Sequence, residues 1–208
     1  MVTEDTVPGQ ADDPLRAAAR RSAENRAEHP RPSRRGAKPP SCGAAPGQYH
    51  CLVQKLQKPV GNVTRGTTNP NRLRRVDRWL AGPQGWRLRR AADPLIVDLG
   101  YGAAPTTAVE LHTRLGRIRP DVDVVGIEID PARVRSAKAL ERNGLSFRQG
   151  GFELPVDGRR PVMVRAFNVL RQYSEDEYGA HWDMVRSRLA DGGIFVDGTC
   201  DEIGRRST

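Results

Sequence analysis

LIVDLGYGAAP, residues 95–105, sets a short apolar run against a glycine-rich turn, and the reading of that junction decides the fold. Apart from Asp98, Leu95 to Leu99 is apolar and partly β-branched, the pattern of a strand buried on both faces. Gly100 and Gly102 break it, and a helix follows from about Thr106 to Gly116. A strand running through a glycine turn into a helix is the first unit of an open α/β sheet, and ligands of such sheets sit at the carboxyl ends of the strands.

Working outward, strands and helices alternate from residue 94 onward, which implies a parallel sheet with helices on both faces. The expected strand two is Val122 to Glu128. Asp130 and Pro131 then start a helix that is expected to end at Asn143-Gly144. Strand three is Leu145 to Arg148, strand four Val162 to Val169 and strand five Ile194 to Val196. Between the last two, Ser174 and Glu177 form a capping box, and Tyr178, Trp182, Val185 and Leu189 make an apolar stripe that ends at Gly192-Gly193. The link from Gln149 to Pro161 is too short for a full crossover helix. Upstream, Asn69 is expected to cap and Pro70 to begin a helix whose face carries Leu73, Val76, Trp79 and Leu80, stopped by Gly82-Pro83. Arg72, Arg74, Arg75 and Arg78 fill its other face.

The turn carries the chemistry. Glu128 ends strand two, thirty residues after Asp98, where this topology places a carboxylate that accepts ribose hydroxyls. A dinucleotide loop reads G-x-G-x-x-G/A, but here Pro105 stands at the last position, and Asp98 would set a negative charge beside a pyrophosphate. A ligand with an ammonium group and no phosphate reverses that argument. S-adenosylmethionine is such a ligand.

Residues 94–200 resemble class I S-adenosylmethionine-dependent methyltransferases, and "DLGYGAAP" with "VVGIEIDPARV" is similar to actinobacterial-type methyltransferase-like proteins of unassigned substrate. The resemblance implies a Rossmann-like sheet of strand order 3-2-1-4-5 and S-adenosyl-L-methionine as cofactor. It assigns Asp98, Gly100 and Gly102 to the loop around the methionine end and Glu128 to the ribose. Ala104 replaces the family's third loop glycine. Gly151 stands where the family often has an acidic residue that contacts adenine. Phe152 either flanks the adenine, bonds it through its backbone, or is a core phenylalanine. The implied reaction is in-line methyl transfer to a nucleophile, in which the enzyme mainly positions its reactants.

Arg165, Asn168, Arg171 and Tyr173, on or after strand four, are candidate acceptor contacts. Arg171 and Tyr173 also suit packing beneath the capping box. No catalytic base is identified, no metal is implied, and Cys200 has no adjacent base to make it a nucleophile. The N-P-P-Y and D-P-P-Y tetrads, the Pro-Cys nucleophile and the P-D-P-W segment of several nucleic-acid and protein methyltransferases are absent. A small-molecule acceptor is therefore expected. The alternative is an inactive or truncated methyltransferase-like domain whose basic front half binds RNA or another polyanion.

Composition supports that division. Residues 1–90 hold 18 Lys+Arg against 7 Asp+Glu, net +11, whereas 91–208 hold 16 against 18, net −2. Residues 1–47 contain little to bury and are expected to be a disordered basic tail, followed by a helical segment over 48–93 and the cofactor-binding domain over 94–208. Nucleic acid could be attracted through residues 1–90. Cys42, Cys51 and His50 lack a fourth metal ligand at a suitable spacing. Three cysteines at unrelated spacings suit a reducing compartment, and with no signal peptide or membrane span a cytoplasmic location is expected. The family's fold continues through another helix and two strands beyond the fifth. Their lack here predicts a truncated chain with Ile194, Phe195 and Val196 on an exposed edge, open to self-association.

Overall fold

In the computed structural model, which describes residues 58–64 and 69–208, five strands pair in parallel. They are β1 (Leu95–Leu99), β2 (Asp123–Glu128), β3 (Leu145–Gln149), β4 (Met163–Phe167) and β5 (Ile194–Gly198), and their order is β3-β2-β1-β4-β5. This is the order the resemblance implies. The described residues belong to one unit, Gln54–Thr208; the expected tail, residues 1–47, with Cys42, His50 and Cys51, lies outside the described residues.

Central β1 is buried along its whole length because it has a strand on each side and helices on each face. On one face, Ile96, Val124 and Met163 pack against Val76 and Leu80 of α1 (Arg74–Ala81), Leu88 of α2 (Gly85–Arg90) and Leu111 and Leu115 of α3 (Thr106–Leu115). On the other, Val97, Val125 and Val164 pack against Phe152, Leu154 and Val185, the last from α5 (Glu175–Arg188). Between β2 and β3 lies α4 (Pro131–Ala137), with Asp130 accepting the Ala132 N–H at 2.8 Å as its cap. It ends earlier than expected, tightening into a 3-10 turn over Lys138–Leu140. The link from β3 to β4 contains no helix, as its length predicts.

Upstream of the sheet the structure corrects the reading. Asn69 does not cap α1: its amide donates to the Glu202 carbonyl, Asn71 takes a left-handed φ of 61°, and the helix starts only at Arg74. Trp79 is 43 % exposed rather than in the core. Leu73, Val76 and Leu80 recur at the spacing that faces the sheet, and Trp79, one residue before Leu80, is turned about 100° away from it. Arg74, Arg75 and Arg78 form the expected exposed face.

The Ser174–Glu177 capping box forms. Of the stripe behind it Val185 and Leu189 are buried, while Tyr178 and Trp182 remain exposed. Strand β5 is an edge of the sheet, as expected, but it is half-buried along all five residues, so Ile194, Phe195 and Val196 are not laid bare. The Trp182 ring packs edge-on to Phe195 at 5.7 Å. Beyond β5 the chain folds back, with Thr199 and Thr208 exchanging backbone hydrogen bonds of 2.7 and 3.0 Å. No helix among the described residues is long and apolar enough to cross a membrane.

Candidate nucleoside site at the carboxyl ends of the strands

Strand order reverses direction between β1 and β4, which opens a crevice above their carboxyl ends. Into it runs the turn after β1, where Gly100 and Gly102 take φ of +71° and +86°. A Cβ on Gly100 would come within 2.6 Å of Val169, so no side chain fits there even apart from the backbone strain.

Glu128, at the end of β2, is 1 % exposed yet fully hydrogen-bonded. Its Oε2 accepts the Gly102 N–H at 2.9 Å and the Thr64 hydroxyl at 3.3 Å, and its Oε1 accepts the Ile129 N–H at 3.0 Å. Arg133 of α4 lies 3.6 Å from the same carboxylate. The acid that sequence spacing picks out thus lies against the glycine turn.

Asp98 has a different environment from the one predicted. It is 2 % exposed, accepts the Thr107 hydroxyl at 2.8 Å, and is bound by the Arg165 guanidinium at 2.9 Å. Arg165 is wholly buried: besides Asp98 it pairs with Asp77 of α1 and donates to the Thr107 carbonyl at 3.0 Å. Arg114 pairs with the other oxygen of Asp77. Arg114 also pairs with Glu110 at 3.1 Å, so three carboxylates and two guanidiniums form one cluster that ties α1 and α3 to the sheet. Arg165 is not an acceptor contact, because it has no path to solvent. Its positive charge also cancels the one expected of Asp98, so repulsion of a pyrophosphate no longer follows.

The other sequence-predicted residues divide between two places. Asn168, at a left-handed φ of 60°, and the exposed Arg171 line an open cleft of about 550 Å³ together with Asn62, Val63 and Gln172. Tyr173 instead belongs to the groove beside Glu128, where its ring meets Phe152 edge-on at 5.7 Å. The Phe152 ring is 1 % exposed and stacked on His181 at 4.1 Å, so it packs as a core ring while residues 58–64 fill the groove beside it. Its backbone N–H does face the groove and donates to the Val60 carbonyl at 3.0 Å.

Glu153 was not singled out from sequence. Its Oε1 accepts the Gly151 N–H and its Oε2 the Val60 N–H, both at 2.9 Å. A carboxylate therefore stands beside the Phe152 N–H after all, two residues beyond Gly151. Gly151 itself has no room for a side chain, because a Cβ there would overlap the Val60 carbonyl. Only the acid next along the chain, reaching back over the turn, could have pointed to Glu153.

Burial holds the His181 imidazole below its ordinary pKa, with nearby Glu177 opposing this weakly. The unfolded chain then takes up a proton that the folded chain resists, so stability is full above the ordinary histidine pKa and falls as pH drops through it. His112 is shifted in the same direction. We expect the melting temperature to fall between about pH 7.5 and 5.5, and to fall less in His181→Phe; an identical pH slope in the variant would show that His181 titrates freely.

No protein-family model and no curated protein matches the chain. Solved structures do. The glycopeptide N-methyltransferase MtfA is 17 % identical with a TM-score of 0.43, over 59 % of this chain and 53 % of that one. A complex of DhpI with SAH is 20 % identical with a TM-score of 0.40, over 61 % and 59 %. A putative methyltransferase from Thermobifida fusca YX is 24 % identical with a TM-score of 0.43, over 61 % and 48 %. The present chain spans about half to three fifths of these proteins.

Proposed function

We propose that the chain is an S-adenosylmethionine-dependent methyltransferase acting on a small-molecule acceptor. The observation that carries the reading is the hydrogen bond from the Gly102 N–H to Glu128. In a dinucleotide site the amides of this turn and of the following helix cradle a pyrophosphate. Here the Gly102 N–H is held by a carboxylate, and Pro105, at the N-cap of α3, has no N–H to offer. The turn is thus poor in donors for a phosphate, whereas a carboxylate ending β2 remains suited to a ribose diol.

The residues fit a nucleoside without phosphates. Glu128 would hold the ribose, the Phe152 N–H and the Glu153 carboxylate would read the adenine edge, and the Gly100–Gly102 turn would pass the methionine end. When bound, the cofactor would supply an electrophilic sulfonium methyl group. The chain's own contribution is positional: the strand ends fix Glu128 and the turn, and Asn168 and Arg171 line the cleft from which an acceptor would approach. Asp98 and Arg165 act from beneath, holding the turn's strand in place.

Calorimetry of the full chain with S-adenosylhomocysteine and, separately, with NAD tests this assignment. We expect saturable binding of the first and none of the second. Tighter binding of NAD than of S-adenosylhomocysteine would overturn it.

A further inference from the structure

Residues 58–64 cross the groove that the adenosine reading requires. On the side that faces Glu128 and the glycine turn, the spaces left are about 10 Å³ between Glu128, Phe152 and Tyr173 and about 30 Å³ beside the Gly100–Gly102 turn, room for one or two waters and not for a nucleoside; the open cleft of Asn62 and Val63 lies on their other side. The strap also satisfies the groove's polar groups one by one. The Val60 N–H donates to Glu153 at 2.9 Å, and the Val60 carbonyl accepts the Phe152 N–H at 3.0 Å. The Asn62 N–H donates to the Tyr173 hydroxyl at 2.5 Å, the Thr64 hydroxyl donates to Glu128 at 3.3 Å, and the Thr64 carbonyl accepts from Arg133 at 3.0 Å.

The Val60 pair has a specific chemistry. An adenine edge presents an amino N–H donor beside a ring-nitrogen acceptor. Val60 presents one main-chain donor and one main-chain acceptor to the same two partners. Thr64 does the same for the ribose, with a hydroxyl directed at the Glu128 carboxylate.

We propose that this strap is a tethered competitor of the nucleoside: its backbone occupies the adenosine subsite, and it must leave before the cofactor enters. The inference rests on the adenosine reading of the groove. Apparent affinity is then the intrinsic affinity multiplied by the fraction of chains whose strap is out. The strap's hold is small. Asn62 and Val63 are exposed, Val60 packs against the core, Thr64 is buried with its hydroxyl on Glu128, and the rest is a handful of partly buried or exposed hydrogen bonds.

Gly61 gives the test. Its φ of +131° is open to glycine alone, and a Cβ would lie 3.0 Å from the Tyr173 hydroxyl, 3.1 Å from Ile129 and 3.3 Å from Phe152. Gly61→Ala therefore expels the strap without altering any residue that would touch the nucleoside. Asn62→Pro, which deletes the donor to Tyr173, is a second and independent way to loosen it. With S-adenosylhomocysteine as ligand, we expect each variant to bind about tenfold or more tightly than the unmodified chain. We also expect ligand to speed hydrogen exchange at the Val60 and Asn62 amides of the unmodified chain. Equal affinity in all three proteins, or weaker binding by the variants with slower exchange on ligand addition, overturns the competitor and leaves the adenosine reading standing. Absence of binding by all three folded proteins overturns that reading and the competitor with it.

Discussion

Arg165→Met is expected to cost about 3–5 kcal/mol of folding stability, because it strands the Asp77 and Asp98 carboxylates in a site with no water to solvate them. For a chain of this size that is a fall in melting temperature of roughly 10 °C or more. Asp98→Ala is expected to lose a comparable amount by the converse route, leaving the guanidinium with one buried carboxylate fewer. Replacing Asp77, Asp98 and Arg165 together with apolar residues of similar volume should restore much of the loss, since the desolvation of all three charges is then removed. A shift of under about 2 °C in Arg165→Met, read by calorimetric melting, would show that water reaches the cluster. Any effect of Asp98 substitutions on ligand binding must accordingly be measured on protein shown to be folded.

Glu128→Ala is expected to weaken S-adenosylhomocysteine binding by 10- to 100-fold, about 1–3 kcal/mol, through lost charge-assisted hydrogen bonds to the ribose. Because Glu128 also holds Thr64, the same substitution loosens the strap, which acts in the opposite direction. The two effects separate in a Gly61→Ala background, where the strap is already displaced and the full loss should be read. Unchanged affinity in that background would remove Glu128 from the site.

The sheet was legible in the sequence because its determinants are local. Short β-branched runs alternate with helical spacing, and Gly100, Gly102 and Glu128 sit at fixed offsets from the ends of those runs. The buried charge cluster was not legible, because its members at 77, 98, 114 and 165 are distant along the chain and meet only through strand register: Asp98 lies level with Arg165 across the β1–β4 pair. Arg165 on an otherwise apolar strand looked like a side chain facing a ligand, whereas it faces two carboxylates. Trp79 departs from the expected stripe because apolar character alone does not specify angular position on the helix. Glu153 and the strap escaped for a common reason. Neither belongs to a periodic element, and their roles depend on a contact between residue 60 and residues 151–153, a span of about ninety positions that no pattern of spacing encodes.

That contact joins the two segments in their sequence histories. The Val60 carbonyl sits where the side chain of residue 151 would begin, so a chain with any side chain at 151 cannot seat a peptide at 60 in this way. Gly151 and the segment around Gly61 therefore form one covarying unit. Related chains should separate into those that keep both glycines, with cofactor access gated from within, and those that keep neither and present an open groove. An acid at 151 would then mark the second group and spare it the reach of a carboxylate from two residues further on.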